Sequence, residues 1–334
     1  MDMHPDFHAK LLQALGPLAA LYSDPTAIRI YVDAYDHITA DRISVVDYTN
    51  LSFPTPQALQ QMIDDLLALY AIALKPGQSV IDLRLEEHSR MQIVLPPMSL
   101  QGPYVVIHKL PDVSHLTWEK LIEVGLITRP VVDVYQEMIY QHQNILVVGG
   151  KHSSKNQTAA LLAGRIPINE RVVVAEREHE MQINRPGMVY LEAGSHTYAE
   201  LIQIAARTAP HWLVLGELAG PEAMNVMELL ARGFYGIATL YANGVEDALK
   251  RLELMCLMAN PGLGLEQIRV LIASALQVII YQELIGSLGS TATQVVELVG
   301  VDEGRYLLQP LFTYNLRRSR LEPTGVEPTW RQKA

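Results

Sequence analysis

The chain of 334 residues contains a single cysteine, Cys256, so no intrachain disulfide can form. A reducing, cytoplasmic setting is the expectation that follows. Cys256 stands in the apolar run Leu254–Met258, which points to a buried structural thiol and not to a nucleophile. A basic surplus is also missing: 26 Lys and Arg stand against 36 Asp and Glu, a formal net charge of -10. That balance argues against a nucleic-acid partner, which needs a cationic footprint. The acidic opening Met1–Asp6 lacks the basic region of a signal peptide. The apolar, uncharged stretch Val270–Gln282 is too short for a membrane span of about 20 residues. Any membrane association is therefore expected to go through a partner. No repeat with a period of about 20 to 50 residues is visible either.

What is present is ample core material. Hydrophobic residues make up 49% and charged residues 19%, and the length favours two domains. The segment 1–111 reads as a small α/β domain. It has a helical opening at Phe7–Tyr22, strand-like runs at Ile28–Tyr31 and Ile43–Tyr48, and a helix over Pro56–Leu74. Three further strand runs follow at Ser79–Leu85, Met91–Leu95 and Tyr104–His108. Residues 112–118 read as a linker centred on Pro111–Ser114, with a helix starting near Thr117. Over 119–312 short apolar runs alternate with helical patterns. The runs are Ile145–Val148, Val172–Ala175, Met188–Tyr190, Trp212–Leu215 and Gly236–Leu240. The helical patterns are Gln157–Ala163, Tyr198–Thr208, Pro221–Ala231 and Glu246–Met255. This alternation predicts an α/β domain with a mostly parallel sheet covered on both faces, taking ligands at the carboxyl ends of the strands. Leu271–Ile280 reads as an apolar core helix, and 313–334, with Arg317, Arg318 and Arg320, as a basic, flexible tail.

The segment Ile145–Asn156 is a strand entering a loop and then a helix. A working phosphate loop reads G-x-x-x-x-G-K-[ST]: glycines let backbone N–H groups wrap phosphate, lysine neutralises it, and a hydroxyl ligates magnesium. Gly149 and Lys155 stand at that spacing, with Gly150 and Ser153 between them. Ser154 holds the second glycine position and Asn156 the hydroxyl position.

In this context the chain resembles the ATPases of type II and type IV secretion systems, and most closely the tight-adherence (Tad/Flp) pilus motor branch. After the loop come Ile166-Pro167 and Glu170–Met181, similar to that branch's stretch ending in an acidic box. Ala209–Ala223 is similar to its "RPDRIIVGEVRGGEA", and Thr239–Asn243 with Asp247–Glu253 to its "TIHAN…DALSRLE". Upstream, Asp82–Leu85, Ser89-Arg90 and Pro96-Pro97 are similar to its N-terminal strand pair. The matches run in order over about residues 25 to 312. They imply a small N-terminal α/β domain followed by a RecA-like P-loop NTPase domain.

By the same resemblance, Glu217 is the water-activating carboxylate and Glu176 the second acid. Gly149, Gly150, Ser153, Ser154, Lys155 and Asn156 form the nucleotide loop, and Arg84 and Arg90 approach nucleotide from the N-terminal domain. ATP and Mg2+ are the implied cofactors, with Asn156 the weak magnesium position. Implied partners are further copies in a ring, or a mixed ring with an active ATPase, and an inner-membrane platform protein. The implied place is the cytoplasm, peripheral at the inner membrane.

The departures weaken the chemistry. His152 and Ser154 replace glycines, and if their backbone is left-handed each costs on the order of 1 kcal/mol. Asn156 offers magnesium a neutral amide oxygen. Arg177 replaces an aspartate, Ala209 and Ala219 replace arginines, and Tyr241 replaces a histidine. In the run Glu176–Glu180 strand alternation puts Glu176, Glu178 and Glu180 on one side, but no second histidine stands at ligand spacing, so no dedicated metal site is expected. Three readings stay open: a weak or non-hydrolysing structural or regulatory homologue of the motor, an active motor, and a protein-binding module without nucleotide.

Overall fold

The computed structural model describes residues 5–42, 46–86, 89–110, 116–285 and 289–333. It separates into two compact units, Met1–Asp112 and Val113–Ala334. Pro111–Ser114, the expected centre of the linker, lies outside the described residues, as do 43–45 of the expected strand Ile43–Tyr48.

The first unit carries helices α1 (Pro5–Leu15), α2 (Ala19–Ser23) and α3 (Pro56–Leu69). Its strands are β1 (Ala27–Ala34), β2 (His37–Arg42), β3 (Val46–Tyr48), β4 (Val80–Arg84), β5 (Arg90–Val94) and β6 (Tyr104–His108). They form one antiparallel sheet in the order β3-β2-β1-β6-β5-β4. Thr55 caps α3 by accepting from the Ala58 amide, and Pro56 fits its first turn. Leu59, Ile63 and Leu66 then fall on one face and are buried in the unit's core. The helix stops at Leu69, short of the expected Leu74, because Ala71 takes a left-handed φ of 52°.

The second unit opens with α4 (Trp118–Glu123) and α5 (Arg129–Tyr140). Then come β7 (Ile145–Gly149), α6 (Lys155–Ala163), β8 (Val172–Glu176), β9 (Met188–Glu192), α7 (Tyr198–Arg207), β10 (Trp212–Leu218), α8 (Glu222–Ala231), β11 (Tyr235–Tyr241), α9 (Val245–Ala259) and α10 (Leu265–Ala275). The chain ends in β12 (Val278–Ile285), β13 (Gly289–Asp302), β14 (Arg305–Asn315), β15 (Arg320–Pro323) and a short 3-10 turn at Thr329–Lys333. Trp118, read as the end of the linker, is a buried first residue of α4, whose cap is Thr117.

The nine strands order as β15-β14-β13-β12-β7-β11-β10-β8-β9. The six from β12 to β9 are parallel, and β13, β14 and β15 extend the sheet antiparallel. Successive residues of the central strands feed two different cores, as period-2 geometry requires. Leu146, Val148, Val173, Leu213 and Leu215 pack on the side of α7, α8, α9 and α10. Ile145, Val147, Val172, Trp212 and Val214 pack with α4, α5 and α6.

Two expectations are corrected. Leu271–Ile280 is not one helix: α10 ends at Ala275 and β12 begins at Val278, since a continuous apolar run carries no periodicity to separate the two. The expected tail 313–334 is, over its described residues 313–333, not loose. Thr313, Tyr314 and Asn315 pair with Glu322, Leu321 and Arg320. Trp330 is 5% exposed in the α5-side core. Its indole donates to Glu137 Oε1 at 3.0 Å, and Arg331 donates to the same carboxylate at 2.6–3.0 Å.

Candidate functional site

The parallel strands β7, β8, β10 and β11 deliver Gly149, Glu176, Glu217 and Tyr241 to their carboxyl ends, the edge where such sheets place ligands. Between β7 and α6 the loop residues His152 and Ser154 have φ of 63° and 58°. Both positions where a glycine was expected are thus left-handed, and each side chain is held there at a steric cost. Gly149 is needed for contact. A Cβ there would lie 2.2 Å from Ser153 Oγ and 2.7 Å from the Gln282 carbonyl oxygen. Gly150 has open space, its nearest neighbour being Asn243 Oδ1 at 3.9 Å. Ser153 is buried, its carbonyl accepts from Ser290 Oγ, and its own Oγ has no partner among the described residues.

Lys155, first residue of α6, lies on Glu217: Nζ and Oε2 are 2.8 Å apart, with the lysine side chain 12% and the glutamate 40% exposed. Glu217 reaches this position through a slip in the β10–β11 pairing between Leu215 and Glu217, which sets it opposite Thr239. Tyr241, at the end of β11, has Lys155 Nζ 5.8 Å and Arg251 Cζ 5.5 Å from its ring centroid, close enough for cation–π attraction. Arg251 is itself held by Asp247 at 2.9 Å.

Glu176 is 2% exposed and points inward. Its carboxylate accepts the amides of Glu180 and Met181 at 3.2–3.3 Å and lies 3.1 Å from His179 Nδ1. It holds the turn after β8 and carries no free face for proton transfer. Gly216 permits the close pairing, since a Cβ there would stand 3.3 Å from Glu176 Cγ. Strand alternation over Glu176, Glu178 and Glu180 fails because β8 ends at Glu176. Asn156 donates from Nδ2 to Glu180 Oε2 at 2.6 Å, while its buried Oδ1 has no partner among the described residues. The Glu180 carboxyl is pushed up, first by the protein crowding it and then by the Glu176 and Glu178 charges.

Arg177 pairs with Glu222, and its guanidinium stacks 4.8 Å above the Tyr198 ring. Glu222 Oε1 also accepts the Ala219 and Gly220 amides at 3.0 Å each. This buried partner of Arg177 was not singled out by sequence reasoning. The available signal was an acid just after Pro221 at a helix start, where carboxylates meet free N–H groups. Glu180 and Ser290 were missed as well, since only the tertiary fold brings them to the loop.

The residues therefore divide. Gly149, Gly150, Ser153, Ser154, Lys155, Asn156, Glu176 and Glu217 gather at one sheet edge of the second unit. Arg84 and Arg90 face each other as a pair at the end of the β4–β5 hairpin in the first unit. The donor set fits a magnesium nucleotide poorly. The loop lysine is neutralised by the would-be base, the amide at the hydroxyl position turns its nitrogen to a carboxylate, and the second acid is consumed by backbone amides.

The sequence profile described as "Type II/IV secretion system protein" matches residues 21–322. The chain is 34% identical over 241 residues to the type IV secretion system protein PtlH of Bordetella pertussis, covering 62% of this chain and 71% of that one. It is 24% identical over 313 residues to the type IV secretion system protein VirB11 of Brucella suis, covering 80% and 84%. In fold it is similar to the Legionella pneumophila ATPase DotB, with a TM-score of 0.59 at 17% identity, covering 90% of this chain and 82% of that one. With a RecA-like unit following a smaller N-terminal one, and a family match over nearly its whole length, the chain belongs to the type II/IV secretion system protein family.

Proposed function

We propose that this chain is a secretion or pilus motor homologue of the tight-adherence branch that turns over ATP weakly or not at all. It serves as a structural or regulatory subunit of a type II/IV secretion or pilus machine. The observation that carries this reading is the 2.8 Å pair between Lys155 and Glu217. One contact occupies both the cation meant for phosphate and the carboxylate meant for water. The pair is partly exposed, so screening keeps its worth to about 1 kcal/mol. It lowers phosphate affinity by less than ten-fold and does not forbid binding. The larger losses lie around it: no arginine at Ala219, the Arg177 charge spent on Glu222, and Asn156 turned to Glu180.

In this role the subunit sits in the cytoplasm against the inner membrane, held by a platform protein. It assembles with copies of itself or with an active ATPase in a mixed ring. Steady-state phosphate release from the purified chain tests the reading, with turnover well under one per second expected. Turnover of about one per second or faster, abolished by Glu217→Gln, overturns it in favour of an active motor. A complete lack of melting-temperature shift at millimolar Mg-ATP would count against the active motor.

A further inference from the structure

The segment Asn315–Arg320, read from sequence as part of a tail, is the turn of the β14–β15 hairpin. It presents Leu316 at 82% exposure, followed by Arg317, Arg318 and Arg320, with the latter two side chains 63% and 51% exposed. Ser319 takes a left-handed φ of 48°, which turns the chain back within four residues. Arg318 and Arg320 both reach Glu322, at 2.9 and 3.0 Å, and Asn315 Nδ2 donates to the same carboxylate at 2.8 Å. These bonds hold the Glu322 carboxyl down to about 2, so it stays ionised and cancels one of the three positive charges near neutrality. The tip keeps a net charge of two on a chain whose formal net charge is -10. The ladder Val148–Tyr281–Gln294–Thr313 puts this tip at the carboxyl-end edge of the sheet, the same edge as the phosphate loop.

We propose that this hairpin tip is a peripheral docking point for an anionic lipid surface, with Arg317, Arg318 and Arg320 on the headgroups and Leu316 at the acyl boundary. Charge complementarity sets the orientation. An acidic body is repelled by an anionic membrane while this cationic tip is drawn in, so the chain approaches tip first. An exposed apolar side chain next to three arginines in one turn suits a surface whose charge lies outside and whose apolar phase lies within. Among the described residues no helix is long and apolar enough to cross a membrane, so the contact at this tip is peripheral.

Each uncompensated arginine near such a surface strengthens partitioning about five-fold, so two give about 30-fold. Co-sedimentation of the full chain with vesicles of phosphatidylcholine alone, and with about a third phosphatidylglycerol, reads this directly. The expected result is a roughly 30-fold preference for the anionic vesicles at low salt, collapsing above about 0.5 M salt. Arg317→Gln together with Arg318→Gln removes the preference while the thermal melt stays unchanged. Leu316→Asn weakens binding to anionic vesicles several-fold and leaves the salt dependence in place. No anionic preference, or a preference that survives the double arginine change, overturns the proposal. Binding of an acidic peptide in place of vesicles would do the same, assigning the tip to a protein partner.

Discussion

Returning glycine to the two left-handed loop positions should stabilise the second unit. Ser154 is the residue before α6, its φ is 58°, and its hydroxyl makes no capping hydrogen bond. His152, at φ 63°, has an exposed side chain. Neither side chain therefore repays its backbone strain, which for an L-residue in this region is about 1–2 kcal/mol. Glycine removes that strain but loses about 0.5–1 kcal/mol more through the freedom of the unfolded chain. The net gain is about 0.5–1 kcal/mol per site, or about 1–2 kcal/mol for His152→Gly with Ser154→Gly. The sites are two residues apart, so the sum is an upper figure if they relax together. In a unit of roughly 220 residues this raises the melting temperature by about 3–6 °C. Calorimetric melting of the double variant reads it, with Ser154→Ala as the control that keeps a Cβ and should give no gain. A double variant no more stable than the parent would refute the reasoning that the loop holds strain at these positions.

Glu180→Gln keeps an acceptor for Asn156 but removes a carboxylate whose proton affinity is raised in the fold. A raised acid favours the fold below its unfolded value near 4.5 and loses that contribution as pH climbs through the folded value. The variant should therefore melt higher than the parent at pH 7, with the difference vanishing by about pH 4; equal melting at both values contradicts the assignment. Trp330→Ala should cost about 3 kcal/mol in urea denaturation, because it empties a buried site and strips a partner from Glu137. A loose tail would show no change. Burial, and next the Glu228 charge, push the Cys256 thiol up to about 12, so iodoacetamide at pH 8 should label the unfolded chain and spare the native one.

The strand–loop–helix at Gly149–Lys155 was legible in sequence because a run of four apolar residues ends where small and polar ones begin. The left-handed geometry followed at Ser154 from where the motif requires glycine and at His152 from where the resembled family carries one. The alternating strands of the second unit were legible for a similar reason, since each is short, apolar and separated by a helical pattern. The C-terminal hairpins were not. β14 and β15 carry prolines, the turn between them is rich in arginine, and their pairing depends on an edge that β12 and β13 supply. The site itself was only half visible. Motif spacing located Lys155 and the family resemblance pointed to Glu217, but no one-dimensional pattern says that the two touch, that Glu176 is spent on backbone amides, or that Arg177 finds Glu222. Charge substitutions are legible as losses; their new partners are tertiary facts.

Whether the loop still holds a nucleotide is measured directly by calorimetric titration with Mg-ATP and Mg-ADP. With Lys155 paired to Glu217 and Asn156 turned to Glu180, the dissociation constant should lie at about 1 mM or weaker, a binding free energy no better than about -4 kcal/mol. Lys155→Ala should change it little. A micromolar constant that Lys155→Ala abolishes would contradict the account and return the loop to a working phosphate cradle.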